Sequence, residues 1–155
     1  MTTSHIQLFH TLQLTPAGYS APLPIPSAKL RPLLAYLILH HNRPINRQQL
    51  AALLWPDSTD AAGRRNLREY LYRARQTLDQ FAPKQTLLTS DEQTVTLTLP
   101  PNYTVDLFTF RQKITQAANS QLTTRKILLL EEARSLYKGE LLQEFYDDWA
   151  EIERE

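Results

Sequence analysis

Ten prolines, at positions 16, 22, 24, 26, 32, 44, 56, 83, 100 and 101, do more than any other feature to limit how this chain can fold. Proline lacks a backbone N–H and fixes φ, so each one bars a helix interior or a central strand and restricts the residue before it. The segments left between them change period. Before Pro26, IQLFHTLQLT and SAPLPI alternate apolar and polar residues, with Pro16, Ala17 and Gly18 as the turn between them, which predicts a small antiparallel sheet. From Ser27 onward the spacing turns helical. Leu30, Leu33, Leu34, Leu37 and Ile38 form the core-facing stripe of a helix beginning near residue 29, with Pro32 tolerated in its first turn, and ending by about His41.

A second helix announces itself at Asn46, a capping residue with Gln49 three positions on and Ile45 and Leu50 placed as a hydrophobic staple. Leu50, Leu53 and Leu54 supply its apolar face, and Trp55-Pro56 ends it. The segment DSTD at 57 to 60 offers N-caps for a third helix, AAGRRNLREYLYRARQTLDQF, about five turns long. TLLT and TVTLTL then flank the turn SDEQ and predict a β-hairpin, after which Pro100-Pro101 closes the region. Beyond it, Asp106 caps a helix with the face Leu107, Phe110, Ile114 and Ala117. A second helix runs from about Thr124 to Tyr137 with Gly139 at its C′ position, and a third starts near Asp147 through Trp149 and Ile152.

The order predicts an α+β winged helix-turn-helix over residues 1–100: an N-terminal small antiparallel sheet, three helices and a C-terminal β-hairpin as the wing. A short all-α segment follows over 101–155. Absences narrow the function. Without cysteine there is no disulfide framework, thiolate metal site or thiol nucleophile. Glycine only at 18, 63 and 139 leaves no Gly-rich phosphate loop. The longest apolar run, LLAYLIL, is seven residues, and MTTSHIQLFH has no basic n-region leading into an apolar stretch, so the expectation is a cytoplasmic protein with no membrane partner. His40-His41 suits a helix C-terminus better than a metal, Trp55 and Trp149 suit core anchors, and no nucleophile, base and orienter converge. No enzyme, metal or cofactor is expected.

The formal charge of +1 conceals two opposed parts: ten basic and six acidic side chains in residues 1–100, giving +4, against seven and ten in 101–155, giving −3. Within the third helix, positions 61 to 78 hold five arginines against Glu69 alone. On a wheel of about 100° per residue, Leu67, Leu71, Ala74 and Leu78 gather on one side, while Arg64, Arg65, Arg68, Tyr72 and Arg75 fill a neighbouring arc and Arg73 falls beside Asn66 and Glu69. Such a stripe ordinarily solvates an exposed face. After a helix-turn-helix and before a wing, it is instead the element that enters a major groove, where guanidinium forks can meet guanine edges and phosphates.

KLRPLLAYLILHHNRPINRQQLAALLWPDS followed by AAGRRNLREYLYRARQTL resembles the winged-helix domain of the SARP family of bacterial transcriptional regulators, itself similar to that of OmpR-type response regulators. VDLFTFRQKI and EEARSLYKGELLQEFYDDWAEIERE resemble the opening of the TPR-like bacterial transcriptional activator domain (BTAD) of that family. The resemblance implies binding to promoter repeats in double-stranded DNA, recruitment of RNA polymerase, dimerisation on DNA and a nucleoid location. It places Arg64, Asn66, Arg68, Arg73 and Arg75 at recognition-helix positions, to which Arg65, Tyr72 and Arg47 are added as DNA-contact candidates. It sets the loop Trp55, Pro56, Asp57, Ser58, Thr59 and Asp60 where such domains touch polymerase. Pro32, Ala74, Tyr72 and Gln76 depart from the family pattern, the first two bearing on packing and the last two on contacts. Because helical repeats need neighbours to cover their faces, the segment 101–155 reads as the start of a longer array. The rival reading is a protein-interaction or adaptor module that uses the same helices without binding DNA.

Overall fold

The computed structural model describes residues 3–155. In chain order they form β1 (Ser4–Gln7), β2 (Gln13–Thr15), α1 (Leu30–Leu39), β3 (Ile45–Asn46), α2 (Arg47–Leu54) and α3 (Asp60–Phe81). Then come β4 (Leu88–Ser90), β5 (Thr94–Leu97), β6 (Tyr103–Val105), α4 (Asp106–Asn119), α5 (Thr123–Leu136) and α6 (Asp148–Arg154). They cluster into two compact units, residues 3–4 with 15–102, and residues 5–14 with 103–155.

The first unit is the winged helix. α1 begins where the Ser27 hydroxyl accepts the Leu30 amide at 3.3 Å, and Pro32 sits buried in its first turn, where its missing N–H leaves nothing unpaired. It ends at Leu39, and the turn after it reaches the left-handed Asn42 (φ 63°), whose N–H donates to the Leu97 carbonyl at 2.7 Å. Asn46 caps α2 by accepting the Gln49 amide at 3.0 Å. α2 buries Leu50, Ala51 and Leu54 but leaves Leu53 37% exposed, so its apolar face is narrower than the leucine spacing suggested. α3 buries Leu67, Leu71, Ala74 and Leu78, the side separated by the helical wheel, and Ala74 is closed off completely. Its cap is Thr59, whose hydroxyl accepts the Ala62 amide at 3.2 Å. Thr59→Ala is expected to cost about 1 kcal/mol, read as a lower urea midpoint at unchanged m.

The wing is the antiparallel pair β4-β5 in the register Leu88↔Leu97, Thr89↔Thr96 and Ser90↔Val95, and β3 adds a third strand through Ile45↔Val95. Val95 and Leu97 face the core. One expectation is corrected here. SAPLPI forms no strand, because Pro22 and Pro24 remove the donors that a ladder would need, although Gly18 (φ 84°) does provide the expected turn.

The second unit holds a sheet ordered β2-β1-β6, so β1 pairs with β2 on one side and with residues 103–105 on the other. Residues 5–14, grouped with the first hundred by sequence, cluster with 103–155 for identifiable reasons. The Asp106 carboxylate accepts the amides of Leu8 (2.8 Å), Phe9 (3.1 Å) and its own neighbour Leu107 (2.7 Å). Burial pushes its pKa above the usual carboxylate value, outweighing the pull of those amides. The Phe9 ring meets Phe110 at 5.3 Å and Tyr137 at 5.2 Å.

α4 and α5 pack as a helical hairpin joined by a Lys113–Glu132 ion pair of 2.7 Å. Of the α4 face read from sequence, Leu107 and Ala117 are buried and Ile114 is 39% exposed. α5 buries only Leu129 and Ala133, leaving Ile127, Leu128 and Leu130 exposed. It ends at Leu136 with Tyr137 as its C-cap, so Gly139 lies one position beyond the C′ site assigned to it. Trp149 is buried against Phe145, with its indole N–H donated to Asp147 at 3.2 Å, and the Arg154 guanidinium donates to the carbonyls of Leu141, Leu142 and Phe145.

Candidate nucleic-acid interface

The amino-terminal half of α3, the start of α2 and the β4-β5 turn enclose an open groove of about 860 Å³. Its lining is Asn46, Arg47 and Gln48 from one side, Arg64, Leu67 and Arg68 from α3, and Asp91, Glu92 and Gln93 from the wing turn. The helical period explains why α3 can serve both purposes. With Leu67 and Leu71 turned into the core, positions 64, 65 and 68 are left on the solvent side. Arg64, Arg65 and Arg68 are exposed, and none has a hydrogen-bond or ion-pair partner among the described residues. Three guanidinium groups with unspent donors on one turn of helix suit planar anionic or carbonyl acceptors.

The other candidates are placed differently. Tyr72 is 58% exposed, and its hydroxyl accepts from Gln76 at 3.2 Å. Arg73 is paired with Glu69 at 3.1 Å and lies 5.0 Å over the Tyr70 ring, on the side where Trp55 packs against Tyr70 at 5.4 Å. Asn66, seven residues or about two helical turns earlier, is half-buried on that same side. Arg75 is half-buried, and its guanidinium donates to the Ser90 hydroxyl on the wing. Arg47 is tied to the wing twice, from its backbone N–H to the Gln93 carbonyl at 2.8 Å and from its guanidinium to the Asp91 carbonyl at 3.3 Å.

The wing turn was not singled out as a site by sequence, although SDEQ carries the signal in its two adjacent carboxylates. Asp91 accepts the amides of Gln93 and Thr94, each at 2.7 Å, and those bonds hold its pKa below the usual value. Glu92 is exposed and has no partner among the described residues. In the loop between α2 and α3, Trp55 is half-buried while Pro56, Asp57, Ser58, Thr59 and Asp60 are exposed. His40 and His41 are engaged locally, His40 with Arg43 at 2.9 Å and His41 with the Ile38 carbonyl at 3.0 Å. Among the described residues no helix is long and apolar enough to cross a membrane.

Residues 25–93 match the family described as "Transcriptional regulatory protein, C terminal". Along 99% of its length the chain is similar to a solved structure of Mycobacterium tuberculosis EmbR in complex with a low-affinity phosphopeptide, with a TM-score of 0.84 and 22% identity. That likeness is one of fold. It covers 41% of the EmbR chain, so the present chain spans about two fifths of that protein's length. No curated protein matches the chain.

Proposed function

From the match of residues 25–93 to transcriptional regulatory protein C-terminal domains, we propose that the chain is a sequence-specific regulator that takes double-stranded promoter DNA on α3. The observation that carries this reading is the trio Arg64, Arg65 and Arg68, exposed and without partners among the described residues, two of them, Arg64 and Arg68, lining a groove against a well-packed helix. Phosphate contacts would set the position of the duplex and guanidinium-to-guanine contacts would read it, with the Tyr72 hydroxyl as a further donor. Asn66 and Arg73 face the α2–α3 loop side and contribute at the edge of the footprint.

The exposed loop 56–60 is available to a second protein, which fits contact with RNA polymerase and an activating role in the cytoplasm at the nucleoid. The helical hairpin with Ile127, Leu128 and Leu130 uncovered fits the first repeat of an activator domain over 101–155. Binding to promoter repeats would bring two copies together on DNA.

Selection from random duplex DNA with the intact chain tests the core of the proposal. Enrichment of one short motif is the expected result. Recovery of unenriched sequence at physiological salt would contradict it and favour an adaptor that uses the helical unit alone.

A further inference from the structure

The groove beside α3 is built from charges of both signs, and the two signs sit on different elements. Arg64 and Arg68 line it from α3, with Arg65 exposed beside them on the helix, whereas the wing turn presents Asp91 and Glu92 to the same space. A duplex seated on the arginines carries a phosphate charge about every 1.7 Å of its axis, so carboxylates lining the groove meet like charge. The Asp91 carboxylate is occupied by the turn, accepting from Gln93 and Thr94. Glu92 has no such tie and projects its charge into solvent.

Two arginines hold this acidic turn in place. Arg47 is bonded to the carbonyls of Asp91 and Gln93, and Arg75 to the Ser90 hydroxyl at the end of β4. Both are half-buried, unlike the exposed trio. A guanidinium already committed to the wing has fewer donors for a phosphate or a base, and withdrawing it would release the hairpin.

Building on the DNA-binding reading above, we infer that Arg47 and Arg75 are positioning residues that fix the wing beside α3, and that Glu92 at its tip repels phosphate, so that the duplex is taken on Arg64, Arg65 and Arg68. The wing thereby selects among approaches of the duplex by refusing one, as a like charge placed against the wrong partner does.

The test measures affinity of the intact chain for its selected duplex across a salt series. Glu92→Lys should tighten binding several-fold and steepen the salt slope by about one, with Glu92→Gln intermediate. The residue is exposed, so neither change threatens folding. Arg75→Ala and Ser90→Ala should each loosen the wing and relieve part of that repulsion, tightening binding by a similar factor smaller than that of Glu92→Lys, and the double variant should gain no more than either single one. An unchanged affinity and slope in Glu92→Lys overturns the repulsion. A slope reduced by about one in Arg75→Ala, with Ser90→Ala unaffected, puts Arg75 on a phosphate and overturns its positioning role. Failure of the unaltered chain to bind any duplex is a different result, which overturns the DNA-binding reading and this inference with it.

Discussion

Alanine at Arg64, Arg65 and Arg68 together is expected to weaken binding to a selected duplex by at least roughly a hundredfold, since each base or phosphate contact by an arginine is worth about 1–3 kcal/mol. Circular dichroism and the unfolding midpoint should stay close to those of the parent. The three side chains are exposed and unpaired among the described residues, and alanine is a strong helix former. Arg73→Ala makes the matching control. It breaks a surface ion pair with Glu69 and a contact with Tyr70, both away from the groove, so its effect on affinity should be small. A loss of binding that accompanied Arg73 and spared the trio would move the interface to the α2–α3 loop side.

The largest effect on stability is expected from Leu71→Ala. Leu71 is 1% exposed at the middle of α3, on the side that packs against the rest of the winged helix. Truncating such a leucine costs about 2–5 kcal/mol, the range reflecting how far the cavity can close. Against a total of about 5–15 kcal/mol for a small domain, that is enough to populate the unfolded state near physiological temperature. Leu53→Ala, on the neighbouring α2 but 37% exposed, should cost about 1 kcal/mol or less. Urea denaturation of the two variants side by side measures the difference. Equal losses would mean that α3 does not carry the core.

How much of this was legible in the chain depended on whether the relevant interaction was local. The cap at Asn46, the Pro32 first turn, the boundaries of α2 and α3 and the buried side of α3 follow from residues within a turn or two of one another. The structure reproduces them closely. The amino-terminal sheet followed only in part: β1 and β2 form and pair, but SAPLPI adds no strand. Alternation in SAPLPI looked like a strand, but period alone does not count donors, and two of its six residues are proline. Besides β2, β1 pairs with β6 about a hundred residues away, and no local pattern identifies which of several short strands will add to the pair.

The candidate site divides in the same way. The helical wheel separated Arg73 from the main stripe, and its pairing with Glu69 four residues before it is the local reason. The wheel could not separate Arg75 from Arg64, Arg65 and Arg68, because what distinguishes it is Ser90, fifteen residues on and brought alongside by the wing. Arg47 is similar: its position at the start of α2 is plain in the sequence, but its bonds to residues 91 and 93 depend on the hairpin folding back. A period gives the direction of a side chain and leaves open what it will face.

The salt dependence of duplex binding by the unaltered chain tests the central claim most directly. If Arg64, Arg65 and Arg68 each neutralise a phosphate, the logarithm of the association constant should fall against the logarithm of salt concentration with a slope of about −0.9 per phosphate, close to −3 for the trio. The slope should flatten nearly to zero in the triple alanine variant. A flat dependence in the unaltered chain, or a steep one that survives loss of all three arginines, would contradict it.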